Sequence, residues 1–206
     1  MCTRYFIEPN IEEIQEIIAE IEKRNRLAHE FIKSGNAIVT SGEIRPTNVV
    51  PVIAPNRAGR QSAYPMKWGF QIPGKSLLVN ARGETEATKP TFKESWEKHR
   101  CVIPASWYYE WEHLTSSTGQ KKTGDKYMIQ PRGSRMTWFC GLYRMEHGLP
   151  AFTVLTREPA EELKKIHDRM PLIIPEKMIG AWIDPNTKPE DVLQYALTDV
   201  YMEKTG

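Results

Sequence analysis

Residues Cys101–His113 read CVIPASWYYEWEH, and this run decides the class of fold. Cys101–Ile103 is a short apolar segment, and Trp107–Glu112 crowds Trp107, Tyr108, Tyr109 and Trp111 together. Aromatic and β-branched side chains suit a pleated, half-buried surface, so the run predicts two strands. Downstream, the polar residues 114–125 (LTSSTGQKKTGD) predict an exposed hairpin loop. Tyr127–Gln130, Thr137–Tyr143 and Ala151–Leu155 continue the strands. Upstream, Thr91–His99 predicts a short helix, with Phe92 and Trp96 four apart on one face. Earlier apolar runs separated by Gly and Pro, at Thr3–Ile7, Ala37–Thr40, Val49–Ile53 and Leu77–Val79, read as further strands.

Helices fall at the edges of this series. After Asn10, with Glu13 at the capping-box distance, Ile11, Ile14, Ile17, Ile18 and Ile21 recur at helical intervals. Pro159–Lys165 predicts another helix, and Glu176–Trp182 and Pro189–Ala196 two small ones beyond the apolar run between Pro171 and Pro175. No repeat, low-complexity tract or linker divides the chain. The prediction is one α+β domain over residues 1–206, a mostly antiparallel, barrel-like β-sheet with peripheral helices.

Composition narrows the function. A net charge of +2 excludes polyanion binding by bulk charge, so any nucleic-acid contact has to come from a local cluster of Arg and Lys. No apolar run approaches the length of a membrane span, and the opening MCTRYFIEPN lacks the pattern of a secretory signal. Cys2, Cys101 and Cys140 are odd in number and widely spaced, which predicts a reducing, cytoplasmic setting. The five histidines are scattered without metal-ligand spacing, so no metal site and no cofactor are expected.

Four segments carry chemistry. Methionine aminopeptidases remove Met1 when a small residue such as Cys2 follows, which leaves a thiol and a free α-amine on one carbon skeleton. With ordinary pKa values of about 8.5 and about 8, the pair supplies some neutral amine and some thiolate near neutral pH. The amine condenses with an aldehyde to a Schiff base, and the thiol closes on the imine to a thiazolidine. The same pair could instead serve as the nucleophile of an N-terminal-nucleophile hydrolase. In LLVNARGE, residues 77–84, Asn80 ends an apolar strand where it can face a cleft, and Arg82 can reach the same side with a fork suited to phosphate. Glu110, set among aromatics, is expected to have a raised pKa useful for proton transfer. In KIHDRMP, residues 165–171, His167 follows a helix whose dipole would favour its protonated form. Trp68, flanked by Lys67 and Gly69, reads either as a loop residue able to stack on an unpaired base or as a tryptophan capping the core.

In this order the fragments resemble one family. They run from Met1-Cys2-Thr3-Arg4-Tyr5 through Asn80-Ala81-Arg82-Gly83-Glu84-Thr85, Arg100–Ala105 and Tyr109-Glu110-Trp111. They continue with Phe139–Tyr143 and Ile166–Pro171 and end near Ala181–Asp184. The chain resembles, over nearly its whole length, the SRAP family, named for SOS response-associated peptidase. The resemblance implies a monomeric, cytoplasmic DNA-repair protein of the bacterial type that shields abasic sites in single-stranded or junction DNA. It implies Cys2 as the crosslinking nucleophile and Asn80 positioning the terminal amine and opened sugar. Glu110 would move protons during ring opening and Schiff-base formation, and His167 would stabilise the crosslink and assist its reversal. Arg4 and Arg82 would lie near DNA phosphates, Pro46 and Trp68 would interrupt base stacking, and Thr156 would line the same pocket. Three readings compete: a thiol peptidase acting through Cys2, on other peptides or only on its own first bond; an N-terminal-Cys amidotransferase; and a non-covalent nucleic-acid binding module.

Overall fold

A computed structural model describes residues 2–23, 25–85, 87–115 and 120–205. Met1 and the 116–119 tip of the expected hairpin loop lie outside them. In chain order the elements are β1 (Tyr5–Ile7), α1 (Glu12–Lys23), α2 (Asn25–Lys33), β2 (Gly42–Ile44), β3 (Val49–Pro55), β4 (Gln61–Trp68) and β5 (Asn80–Arg82). Then come α3 (Lys93–Lys98), β6 (Arg100–Ala105), β7 (Trp107–Thr115), β8 (Lys121–Pro131), β9 (Thr137–Glu146) and β10 (Leu149–Arg157). The chain ends with β11 (Met170–Pro171), β12 (Ile173–Ile174), α4 (Ile179–Ile183), α5 (Pro189–Leu193) and β13 (Val200–Lys204).

Five strands close a ring. β3 pairs with β4 and β6, β6 with β9, and β9 with β10, all antiparallel. A short parallel contact, Ala151↔Lys67 and Phe152↔Trp68, joins β10 back to β4. Closure leaves these strands no open edge. The strands are buried on both faces where the ring is covered, which is why β6 and β10 read as near-continuous apolar runs rather than alternating ones. Gly141 belongs to this packing. A Cβ there would meet Ile103 Cδ1 at 2.5 Å and the Thr153 carbonyl at 2.9 Å.

Beyond Gly141 and Val154 the last two ring strands separate, and residues 170–174 fill the gap. Met170–Pro171 pairs with β10 and Ile173–Ile174 with β9. Leu172 bridges them, donating to Leu155 C=O and accepting from Cys140 N–H, each at 2.8 Å. On the other flank of β10, β5 takes over from β4 in parallel register, Val154↔Asn80 to Thr156↔Arg82. The loop ahead of residue 170 and the start of β5 are thereby brought to the same end of the barrel.

A second antiparallel sheet, in the order β13-β8-β7-β1-β2, leans on that barrel. Ser106, between β6 and β7, ties the two. Its N–H donates to Phe6 C=O at 2.8 Å, and its hydroxyl accepts the Glu8 N–H at 2.8 Å. Between the sheets lies an aromatic core: Tyr5 packs 5.3 Å from Trp68 and 5.7 Å from Phe139, and Trp68 stacks on Phe152 at 6.0 Å. The isoleucine face of α1 covers one side, with Ile14 and Ile21 buried.

Local departures from the sequence reading have local causes. Ala37–Thr40 makes only a single bridge, Ile38 to Val49. Leu77–Val79 is not the strand proper; Leu78 bridges to Phe70, and pairing to β10 begins at Asn80. Pro159–Lys165 forms one 3-10 turn, Glu161–Leu163, because the Ile166 and His167 N–H groups both turn back onto Leu163 C=O and end it. β7 and β8 also run into the expected hairpin loop, to Thr115 and from Lys121. Among the described residues no helix is long and apolar enough to cross a membrane.

Candidate active site

The Tyr5↔Tyr108 register and the Tyr109 N–H to Arg4 C=O bond at 3.0 Å carry the amino-terminal segment alongside Glu110. Cys2 is fully buried at that point, with its thiol directed at Arg4 C=O, 3.8 Å away. From the barrel side, Asn80 Nδ2 donates to Cys2 C=O at 2.9 Å. This bond spans the two sheets and fixes the first residues against the start of β5. Asn80 Oδ1 is buried with no hydrogen-bond partner among the described residues, as are the hydroxyls of Tyr5 and Tyr108 in the same region. Buried acceptors of this kind call for an explanation.

Burial and the neighbouring Glu110 carboxylate push the Cys2 thiol well above its ordinary value. Glu110 is only 5% exposed, and desolvation raises its carboxyl from 4.5 to about 7, with Asp168 adding in the same direction. That agrees with the expectation drawn from its aromatic neighbours. His167 departs from expectation. Burial drives its imidazole down from 6.5 to about 4, whereas a helix dipole would have raised it. The preceding segment is a single 3-10 turn, too short to supply that dipole, and the ring is buried against His113, with centroids 4.0 Å apart. Its Nδ1 accepts the Arg169 N–H at 3.0 Å. Asn80 is therefore joined to Cys2 by a hydrogen bond, Glu110 lies close enough to the Cys2 thiol to raise it, and Asp168, next to His167 in the chain, raises Glu110 in turn.

The DNA-contact candidates divide. Trp68 needs correction. It is fully buried at the end of β4, with Nε1 donating to Val79 C=O at 2.9 Å. Wedged among Tyr5 and Phe152, it cannot stack on a base without opening the core. Thr156 is also buried, on the strand paired with β5, its hydroxyl donating to Ala81 C=O at 3.3 Å. Pro46 is half-buried in the turn between β2 and β3, next to Thr47, whose φ of 75° places a β-branched residue in the left-handed region. Arg82 is exposed at the end of β5. Arg4 reaches Glu43 at 3.3 Å. Glu43 also holds Arg45 at 2.8 Å and Lys126 at 3.4 Å, so three cations surround one carboxylate. This is a local excess of positive charge in a chain whose net charge is only +2.

Two groups escaped the sequence reading. Arg169 forks onto both Glu84 oxygens at 2.9 and 2.8 Å and donates to Thr156 C=O at 2.8 Å. It thus pins the His167 loop to the strand that carries Asn80. Opposite charges in the NARGE and HDRMP fragments were the available signal. Lys126, with Nζ 3.8 Å from the Tyr109 ring centroid, sits over the aromatic face of β7; nothing in its own segment marked it. Side chains able to hold a metal gather, among the described residues, at His113, His167 and Asp168.

The family model of the SOS response associated peptidase (SRAP) matches residues 1–205. YoaM of Bacillus subtilis, named an abasic site processing protein, is 33% identical over 76% of this chain and 74% of its own. YoqW of the same organism, with the same descriptor, is 29% identical over 96% and 86%. Among solved structures, a phage-related protein of Bordetella bronchiseptica superposes with a TM-score of 0.69 at 21% identity, covering 99% of this chain and 94% of that one. A protein of Bacteroides thetaiotaomicron gives a TM-score of 0.69 at 17% identity, over 100% and 92%. At these identities the two structures speak for the fold. Taken with the family match, they leave one conclusion: the chain belongs to the SRAP family.

Proposed function

We propose that the protein processes abasic sites by joining Cys2 covalently to the ring-opened sugar in single-stranded or junction DNA. The observation that carries this reading is the Asn80 Nδ2 bond to Cys2 C=O beside a carboxyl held at about 7. It sets a terminal aminothiol, once Met1 is removed, against a proton carrier matched to neutral pH. The abasic site processing relatives support the substrate class.

The chemistry balances without an added reagent. The α-amine of Cys2 adds to the sugar aldehyde and gives a carbinolamine. Protonated Glu110 delivers a proton to the departing hydroxyl, so water leaves and an imine forms. The thiol then adds to the imine carbon, its proton passes to nitrogen, and the thiazolidine closes. Aldehyde plus aminothiol give thiazolidine plus one water. A thiol raised by burial is poorly ionised, which favours attack by the amine first. His167, neutral at pH 7, serves as a proton acceptor or hydrogen-bond partner for the opened sugar and assists reversal. Asn80 Oδ1, without a hydrogen-bond partner among the described residues, is available to a donor such as the terminal amine. Arg4, Arg45 and Lys126 around Glu43, with Arg82 on the other sheet, supply phosphate contacts.

Mixing the chain with abasic single-stranded DNA should give a band shift that survives denaturation. Its intact mass should equal the Met1-free chain plus DNA less one water. Cys2→Ala should abolish it. Peptide turnover dependent on Cys2 with no adduct would instead establish the thiol peptidase.

A further inference from the structure

His113 and His167 lie far apart in sequence, which is why their spacing argued against a metal site; the fold brings them together. His113, His167 and Asp168 each offer a ligand atom within 4.8 Å of the other two. Backbone bonds build the grouping. The His113 N–H donates to Ile166 C=O at 2.9 Å, and the His167 N–H to Leu163 C=O at 2.9 Å. A register irregularity between Trp111 and His113 marks the point where β7 approaches the loop; such irregularities re-aim side chains beside sites. The imidazoles converge at 4.0 Å between centroids with a 53° interplanar angle, tilted rather than stacked.

His167 Nδ1 and Asp168 Oδ1 stand 2.8 Å apart, although that nitrogen already accepts the Arg169 N–H. A ring nitrogen has one lone pair, so an ion bound between these two atoms takes the place of the Arg169 N–H at Nδ1. Two imidazoles and one carboxylate suit zinc and its divalent transition-metal neighbours, not magnesium or calcium, which prefer all-oxygen shells. With metal–ligand bonds of about 2.0–2.2 Å, ligand atoms around a tetrahedral ion lie roughly 3.3 Å apart, so the His167–Asp168 pair has to open slightly from 2.8 Å and the wider separations, up to 4.8 Å, have to close. Both His113 and Asp168 are exposed and can move inward. A fourth position stays open to water, as in three-ligand zinc sites.

We propose that His113, His167 and Asp168 bind a divalent transition-metal ion of the zinc type, and that the ion, by occupying His167, slows covalent exchange at Cys2. The second half rests on the function proposed above; the binding itself does not.

The test uses the full chain, with Zn²⁺ and Co²⁺ as probes. Competition against a chromophoric chelator should find one ion per chain. His113→Ala and Asp168→Asn, both at exposed positions, should weaken it by at least about tenfold, while Cys2→Ala retains it. The Co²⁺-loaded protein should show visible d–d absorption that His113→Ala loses. In parallel, release of the DNA adduct should slow with Zn²⁺ in the parent chain, and its ratio with and without Zn²⁺ should approach one in His113→Ala. Binding that survives His113→Ala but is lost in Cys2→Ala would move the ion to the terminal aminothiol and overturn the site. Normal adduct formation with no bound ion would sink this inference alone. A bound ion with no adduct from any chain would sink the proposed function alone and leave the site standing.

Discussion

Glu110 and His167 place opposite pH demands on the same fold, and removing either should expose the other. Burial raises Glu110 from 4.5 to about 7, so the folded protein holds this proton more tightly than the unfolded chain does. Its contribution is full below about 4.5 and is lost as pH rises through about 7. Burial lowers His167 from 6.5 to about 4, so the unfolded chain takes a proton that the folded protein refuses. That contribution is full above about 6.5 and is lost as pH falls towards about 4. At about 1.4 kcal/mol per pKa unit each shift amounts to about 3 kcal/mol, with opposite sign over nearly the same window. The parent chain should therefore show little slope from these two groups between pH 4.5 and 6.5. Glu110→Gln should leave stability rising with pH across that window, and His167→Gln should leave it falling. Urea unfolding followed by tryptophan fluorescence at several pH values reads both slopes, and constant m-values would certify comparison of like transitions. Parallel profiles for parent and both variants, or slopes of the wrong sign, would refute the assignment of buried proton-carrying groups at this site.

Three further substitutions probe the scaffold. Arg100 is 2% exposed and donates to the carbonyls of Trp182, Trp96, Glu97, Asp184 and Thr187, so Arg100→Met should cost about 3 kcal/mol by leaving buried acceptors unpaired, read as a fall in Tm. Gly141→Ala should cost about 1–3 kcal/mol through the Ile103 and Thr153 contacts, measured by denaturant unfolding; a neutral result would mean the barrel yields there. Arg169→Ala should slow adduct formation about tenfold by releasing the His167 loop. The Arg169–Glu84 pair is partly open to water, so the same change should lower stability by no more than about 1 kcal/mol; a large stability loss with an unchanged adduct rate would make Arg169 merely structural.

What the sequence disclosed follows from what is local. Trp107–Glu112 announced a strand because its aromatics suit one pleated surface regardless of partners, and the isoleucines of α1 announced their buried face by spacing alone. Barrel closure was not local. It depends on two residue pairs between β10 and β4 and on residues 170–174 filling the gap where β9 and β10 part. Between the two readings of Trp68 the local sequence could not choose: Pro, Lys and Gly around it suit a loop, while its burial is decided by Tyr5 and Phe152, which arrive from distant strands. The direction for Glu110 was legible since its own neighbours desolvate it. For His167 it was not, since the burial that lowers it is made by segments distant in sequence, β7 with His113 among them.

The same geometry explains why a site lies where it does. The Cys2 segment belongs to the second sheet, through β1 and β7, whereas Asn80 starts a strand that extends the barrel through β10. The 78-residue hydrogen bond between them therefore crosses the seam between sheets, and the His167 loop is anchored to that seam twice, by His113 N–H to Ile166 C=O and by Arg169 to Glu84. A seam is the one place where a chain terminus, a strand start and a loop can converge without interrupting a ladder. Its cost is visible in the Tyr5, Tyr108 and Asn80 oxygens, which are buried without a hydrogen-bond partner among the described residues and which an all-apolar seam would avoid. Polar groups left buried and unpaired weaken a fold, so their concentration beside Cys2 argues that they are kept for a bound group that completes them.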